Sequence, residues 1–369
     1  MIDFRYHIVS LVAVFIALAV GITLGAGPLR GQLSDTLEGQ VAELGAERNA
    51  LRSQVELHER RAAAKDEVVG TVTPGAVAGM LPDADIAVVE LPGVDGDLAD
   101  DLAVTMARAG GRVVTRTELL DGFEATDGVE SREEAVSEAA ALLGVDANAP
   151  AVLAAVVTGT SPAGDMVVSG SAASLMEQAD LISQVRTDEA GEPRLPGAPD
   201  PAAPDLVVVL SGGVDTAPAD DTDQQAQAQQ IVDTRLDVVR ALAGTPTPVV
   251  VVAGGTETWQ DPVAAAEDPL VAAVRDDGDL VGVLSSVDNV ESATGRLATT
   301  WALAWLGVGE TGHYGLAADA EASAPPPPPV VEDAAEAPAP GPTEPGSDID
   351  TETSEPPADD PTDDGSTAP

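Results

Sequence analysis

The chain has 369 residues, 63 of them acidic and 17 basic, for a net charge of -46. A surface that acidic repels nucleic acid and anionic headgroups, which argues against a nucleic-acid partner. With no cysteine, disulfides and thiolate metal sites are excluded, and 2% aromatic content leaves a core of Ala, Val and Leu.

Residues 8–26 carry no charge. Nineteen apolar residues are long enough to span a bilayer at about 1.5 Å per residue. Residues 1–30 are therefore expected to form a short tail and a transmembrane anchor, broken by Gly27-Pro28. A cleavable signal peptide is the alternative, although its apolar region is usually shorter, about 7–15 residues. Within the run, Ala17, Gly21 and Gly25 are spaced four apart, a small-residue stripe that lets two membrane helices approach closely.

Residues 31–66 read as a coiled-coil stalk. Leu37, Val41, Leu44, Leu51 and Val55 keep alternating spacings of four and three, with Arg48 and His58 completing the series. Val at a positions and Leu at d positions favours two parallel strands. Glu47 at g and Arg52 at the next e have the spacing of an interhelical salt bridge. The expected partner is a second copy of the chain, in a parallel homodimer or higher homo-oligomer. The alternative is an amphipathic helix folded back on the protein's own head.

The head is expected over residues 67–316, as a doubly wound, mostly parallel α/β domain. Strand candidates are continuous apolar runs at residues 86–91, 206–210, 249–253 and 280–284, with a weaker one at 112–117. Such runs suit strands buried on both faces. Helix candidates at 97–109, 224–243 and 291–306 alternate with them. Five prolines between residues 188 and 204 mark a surface loop or a division into two lobes. From residue 317 to 369 the chain is expected to be a disordered acidic tail. Residues 319–369 hold 14 acids and no base, and include the five-proline run at 325–329.

The chemistry-bearing residues are sparse. The Gly-rich turns Ser211-Gly212-Gly213 and Gly254-Gly255 each follow a strand, but neither is a phosphate-binding fingerprint, and tight strand-to-helix turns explain them. Asp95, Asp215, Glu257 and Asp288 each fall just past a strand. Gathered on one sheet edge they would suit a hard cation; taken singly they would cap helices or face solvent. His7, His58 and His313 are unclustered, as are the methionines, so no compact copper site is visible. No triad or metalloprotease pattern is present, so no enzymatic activity, catalytic residue or cofactor is expected. His313, in Gly312-His313-Tyr314-Gly315, reads as a structural turn residue.

The opening Met-Ile-Asp-Phe-Arg-Tyr-His-Ile-Val-Ser-Leu-Val-Ala-Val-Phe-Ile-Ala-Leu-Ala-Val-Gly-Ile-Thr-Leu-Gly resembles the start of the MctB-type copper transporter family of actinobacteria. Val287-Asp288-Asn289-Val290 and Gly312-His313-Tyr314-Gly315 are similar to that family too, as is the order of anchor, heptad helix and α/β head. The resemblance covers residues 1–316 and implies an envelope protein of copper efflux and homeostasis, with copper as the transported ion. It further implies a pore-forming role at the outer membrane. An outer-membrane barrel needs alternating strands and aromatic girdles, which this chain lacks. The competing expectation is an envelope scaffold that binds a protein partner and handles no copper. The amino terminus is expected inside and the head outside the cytoplasm.

Overall fold

The computed structural model describes residues 4–26, 28–125, 129–188, 193–194, 202–214, 222–254 and 268–328; for 24–38 and 129 it describes the backbone alone. Helix α1 (Phe4–Ala26) is followed by α2 (Pro28–Val77), a single helix of 50 residues. The head then runs β1 (Asp85–Glu90), α3 (Gly96–Arg108), β2 (Arg112–Leu119), the single turn α4 (Asp121–Glu124), α5 (Val129–Leu143), α6 (Ala149–Thr158), α7 (Gly170–Gln178) and β3 (Ile182–Arg186). It continues with β4 (Leu206–Ser211), α8 (Thr222–Ala243), β5 (Val249–Ala253), α9 (Pro269–Asp276), β6 (Ser285–Val287), α10 (Ala293–Leu306) and β7 (His313–Tyr314).

The strands form one seven-stranded sheet in the order β3-β2-β1-β4-β5-β6-β7, parallel except for β3. Its middle strands are β-branched runs because both faces are covered. Residues of even number, such as Ile86, Val88, Val208 and Val250, face the layer of α3, α10 and the end of α2. Residues of odd number, such as Val89, Val207, Val209 and Val251, face the layer of α5 to α9. The strand period of two thus divides one apolar run between two cores. Each fully buried Val or Leu contributes about 1.5–3 kcal/mol of transfer free energy.

The helix starts follow from local caps. Asp95 accepts from the amide of Asp97 at the start of α3, Asn148 from Ala151 at α6, and Asp268 from Leu270 and Val271 at α9. Gly159, in the left-handed conformation, closes α6. Both sheet edges are covered. On the β3 side Glu177 Oε1 accepts from the Gln184 amide, and Arg194 N donates to Arg186 O. On the β7 side Glu321 N donates to His313 O and Gly315 N to Ala322 O. Paired edges remove the template for unwanted strand addition.

Several expectations need correction. Residues 280–284 are not a strand. Asp277 accepts from the Asp279 amide, and Val283 N bonds to Leu280 O, so the segment closes as turns. Leu280 and Leu284 plug the core while Val281 and Val283 face out. The strand begins at Ser285, where β5 offers its edge. The proline-rich loop does not divide two lobes, since β1 before it pairs with β4 after it. The head does not end at 316: Pro325 and Pro328 are buried, and Trp305 Nε1 donates to Pro326 O at 2.9 Å. The tail from 329 onward lies outside the described residues. The stalk helix does not stop at 66 but continues through Pro74 to Val77, burying Thr73 and Val77.

Candidate functional site

The two late segments singled out in the sequence meet in space. Strand β6 pairs with β7 as Ser286↔His313 and Val287↔Tyr314, and Asp288 N donates to Tyr314 O at 3.1 Å. His313 is therefore a buried strand residue and not a turn residue. Its side chain is fixed at both nitrogens, with Nε2 3.0 Å from Val281 O and Nδ1 2.9 Å from Ser286 Oγ. Ser286 Oγ accepts from Arg275 Nε at 2.9 Å, and because Val281 O can only accept, a neutral His313 ring carries its proton on Nε2 and takes the Ser286 proton at Nδ1.

Arg275 and Asp288 form the charged centre. Both side chains are buried, 3.0 Å apart. Arg275 also donates to Tyr314 O and to Asp319 Oδ1, at 2.8 and 2.7 Å. Asp288 accepts from the amides of Leu316 and Ala317. Residue 315 must be glycine here, since its φ is +140° and a Cβ would overlap the Asp288 carboxylate. Burial, with Glu321 and Glu310 nearby, raises the pKa of the Tyr314 phenol. The cluster is a clasp that pins residues 313–319 to the sheet. With Asp288 committed to a cation and two amides, it offers no open carboxylate.

A second polar group fills the switch point between β1 and β4, where open α/β sheets bind ligands. Gly212 must lack a side chain because a Cβ would overlap the backbone of Gly93 and Val94. The buried Arg235 ties the two loops together, with Nη1 2.6 Å from Gly213 O and Nη2 2.9 Å from Pro92 O. Its Nε lies 2.6 Å from Glu124 Oε1. Ser211 Oγ donates to Asp268 Oδ2 at 2.8 Å, and burial pushes the Asp268 carboxyl above its ordinary range. Protein groups occupy this crevice, so Ser211-Gly212-Gly213 is a packing turn.

The four strand-end carboxylates do not form one site. Asp95 caps α3 and Asp288 sits in the clasp. Strands β4 and β5 lie between β1 and β6, and three spacings of about 4.8 Å put them roughly 14 Å apart. Asp215 and Glu257 lie outside the described residues. No group of three or more His, Asp or Glu side chains suited to a metal occurs among the described residues. Sequence reading missed Arg275, Ser286, Arg235 and Asp268, because their partners are distant in the chain; only the pairing of Asp288 with a glycine-flanked His313 hinted at the clasp.

The amino-terminal elements carry the other candidates. Helix α1 is long and apolar enough to cross a membrane, and its described side chains face outward. Ala17 and Gly21 lie exposed along it, with open space beside Gly21, while the surroundings of Gly25 lie outside the described residues. On α2, Val41, Leu44, Leu51 and Val55 are exposed; the side chain of Leu37 is not described. The end of α2 docks on α10, where Asp66 Oδ1 accepts from Ala293 N at 2.7 Å and Ala76 O from Trp301 Nε1 at 3.1 Å.

The chain matches the family described as "Copper transport outer membrane protein, MctB" over residues 1–325. Proteins named "Copper transporter MctB" from Mycobacterium bovis and Mycobacterium tuberculosis are each 25% identical to it over 323 residues. These alignments cover 85% of this chain and 96% of each relative. With its apolar first helix, its α/β head and a match running from the first residue through the clasp, the chain belongs to the MctB family.

Proposed function

We propose that this protein acts in copper transport and homeostasis at the cell envelope, tethered by α1, with its head outside the cytoplasm. Membership of a copper-transport family over residues 1–325 carries the reading. The relatives' name, copper transporter, supports transport or efflux as the role. Membrane contact through α1 alone fits a head whose sheet is covered by helices on both faces. Helix α2 then presents heads in parallel pairs, through the seam of Val41, Leu44, Leu51 and Val55.

Deleting the gene and measuring cellular copper and growth on copper tests this. The mutant should accumulate copper, and the full chain should restore the wild-type level while a chain lacking residues 1–26 should not. Unchanged copper content would overturn the reading. It would favour a second one, an envelope scaffold that handles no copper, supported by the commitment of Asp288 and His313 to internal bonds.

A further inference from the structure

Beyond β7 the chain returns along α10. Ala324 packs against the same apolar core as α10. Trp305, in the last turn of that helix, donates its indole Nε1 to Pro326 O at 2.9 Å. Among the described residues, 324–328 make no other hydrogen bond.

The conformation of this stretch follows from its composition. Residues 325–329 are five consecutive prolines. Each ring fixes φ at about -65°, and each following proline keeps its predecessor out of the helical region. The run therefore extends as polyproline II, with about three residues per turn and no internal hydrogen bond. Burial along it has that period. Pro325 and Pro328 are buried, while Pro326 and Pro327 between them are exposed. One edge of the run rests on the protein. Without an amide proton, the run can offer a surface only rings and carbonyl oxygens. Trp305 is suited to both, with an aromatic body and one polar handle. Aromatic-lined grooves read proline-rich ligands in this way, at low entropic cost because the extended helix is preformed.

We propose that the end of α10 is a polyproline-binding site, filled here by the chain's own residues 325–328. A proline-rich segment of a partner protein takes the site when they vacate it. Trp305 is the reading residue, and a ligand must supply two prolines spaced three apart, as Pro325 and Pro328 are. The chain's own segment is held by two buried rings and one hydrogen bond, so it can be exchanged. Its tether makes it a competitor at a local concentration of about 1 mM.

Calorimetric titration of the full chain in lipid nanodiscs with the peptide acetyl-Ala-Pro-Pro-Pro-Pro-Pro-Val-amide tests the assignment. The probe is uncharged, so the net charge of -46 does not decide the outcome. Combining Pro325→Ser with Pro328→Ser removes the two buried rings and empties the site. That chain should bind the probe with a dissociation constant of about 100 μM or tighter. Wild type should bind it about tenfold more weakly, because its own segment competes. Adding Trp305→Phe to the emptied chain keeps an aromatic ring, removes the N–H and should weaken binding by about fivefold. Should the double variant fail to fold, Pro328→Ser alone takes its place, and tighter binding than wild type is expected. Equal affinity for a peptide with alanine and serine in place of the five prolines would overturn the proposal. So would no saturable binding to the emptied chain, equal binding by wild type, or an unaffected Trp305→Phe.

Discussion

The stalk and the head are made from the same two residues and treat them oppositely. In the head, Val207, Val208, Val209 and Leu210 are fully buried within one chain. On α2, Leu44 is 64% exposed and Leu51 and Val55 are 55% exposed. The head's apolar run is satisfied by helices that the same sequence supplies on both faces. The stalk's repeat has a periodicity as regular, but none of the described residues covers it before residue 66 reaches α10. Apolar periodicity therefore shows where contact is required, and the distance along the chain to a covering element shows who must supply it.

If that contrast is right, stalk substitutions should cost association and head substitutions should cost folding. The largest effect is expected from combining Leu44→Ala with Leu51→Ala, at about 2–5 kcal/mol per buried leucine layer. Light scattering on the full chain in detergent should then give monomer in place of dimer, with an unchanged unfolding midpoint. A wild-type monomer at tens of micromolar would break the comparison at once. Arg275→Ala leaves Asp288 buried without its cation and should cost the head about 3–5 kcal/mol in urea unfolding, without altering association. Gly315→Ala places a methyl group against the Asp288 carboxylate at a φ of +140° and should cost about 1–3 kcal/mol.

Asp66→Ala sits at the border of the two regions. Losing the carboxylate that accepts from Ala293 N should cost about 0.5–2 kcal/mol and detach the end of the stalk before the head melts. Hydrogen exchange of residues 66–77 would reveal it, and unchanged protection there would refute it. The smallest effect concerns pH. Burial holds the Asp268 pKa above its ordinary value of 3.8, so its ionised form is disfavoured in the fold. The stability it contributes is complete below the ordinary range and lost as pH rises through the raised folded value. Asp268→Asn can keep the cap to Leu270 and Val271 and should flatten that decline. Parallel pH curves for the variant and wild type would contradict it.

Much of this architecture is legible from local pattern. The strands at 86, 206 and 249 are continuous valine-rich runs, and the helices between them keep a period of 3.6. Residues 129–178 escaped because α5 is alanine-rich and α6 is apolar on nearly every side, so neither shows a stripe. Strand β3, Ile-Ser-Gln-Val-Arg, is polar because it is an edge, and β6 begins with two serines because the clasp needs a hydroxyl there. The clasp itself joins residues 275, 286, 288, 313 and 319 across a helix and two strands. Nothing in the spacing of Asp288 to its neighbours names Arg275 as its counter-ion. Its reading as one of four cation ligands failed for that reason.

One feature acts as a ruler. Helix α2 rises without a break from Pro28 to Asp66 before the head takes hold, a run of about 58 Å at 1.5 Å per residue. Within α2 it sets both the distance and the rotation between the start of that helix and the face of the head on which its end docks. Removing seven residues between 41 and 62 would shorten that run by about 10 Å and turn its two ends relative to one another by only about 20°, whereas removing five would turn them by about 140°. Any partner that must be met at a given height and on a given side would distinguish the two.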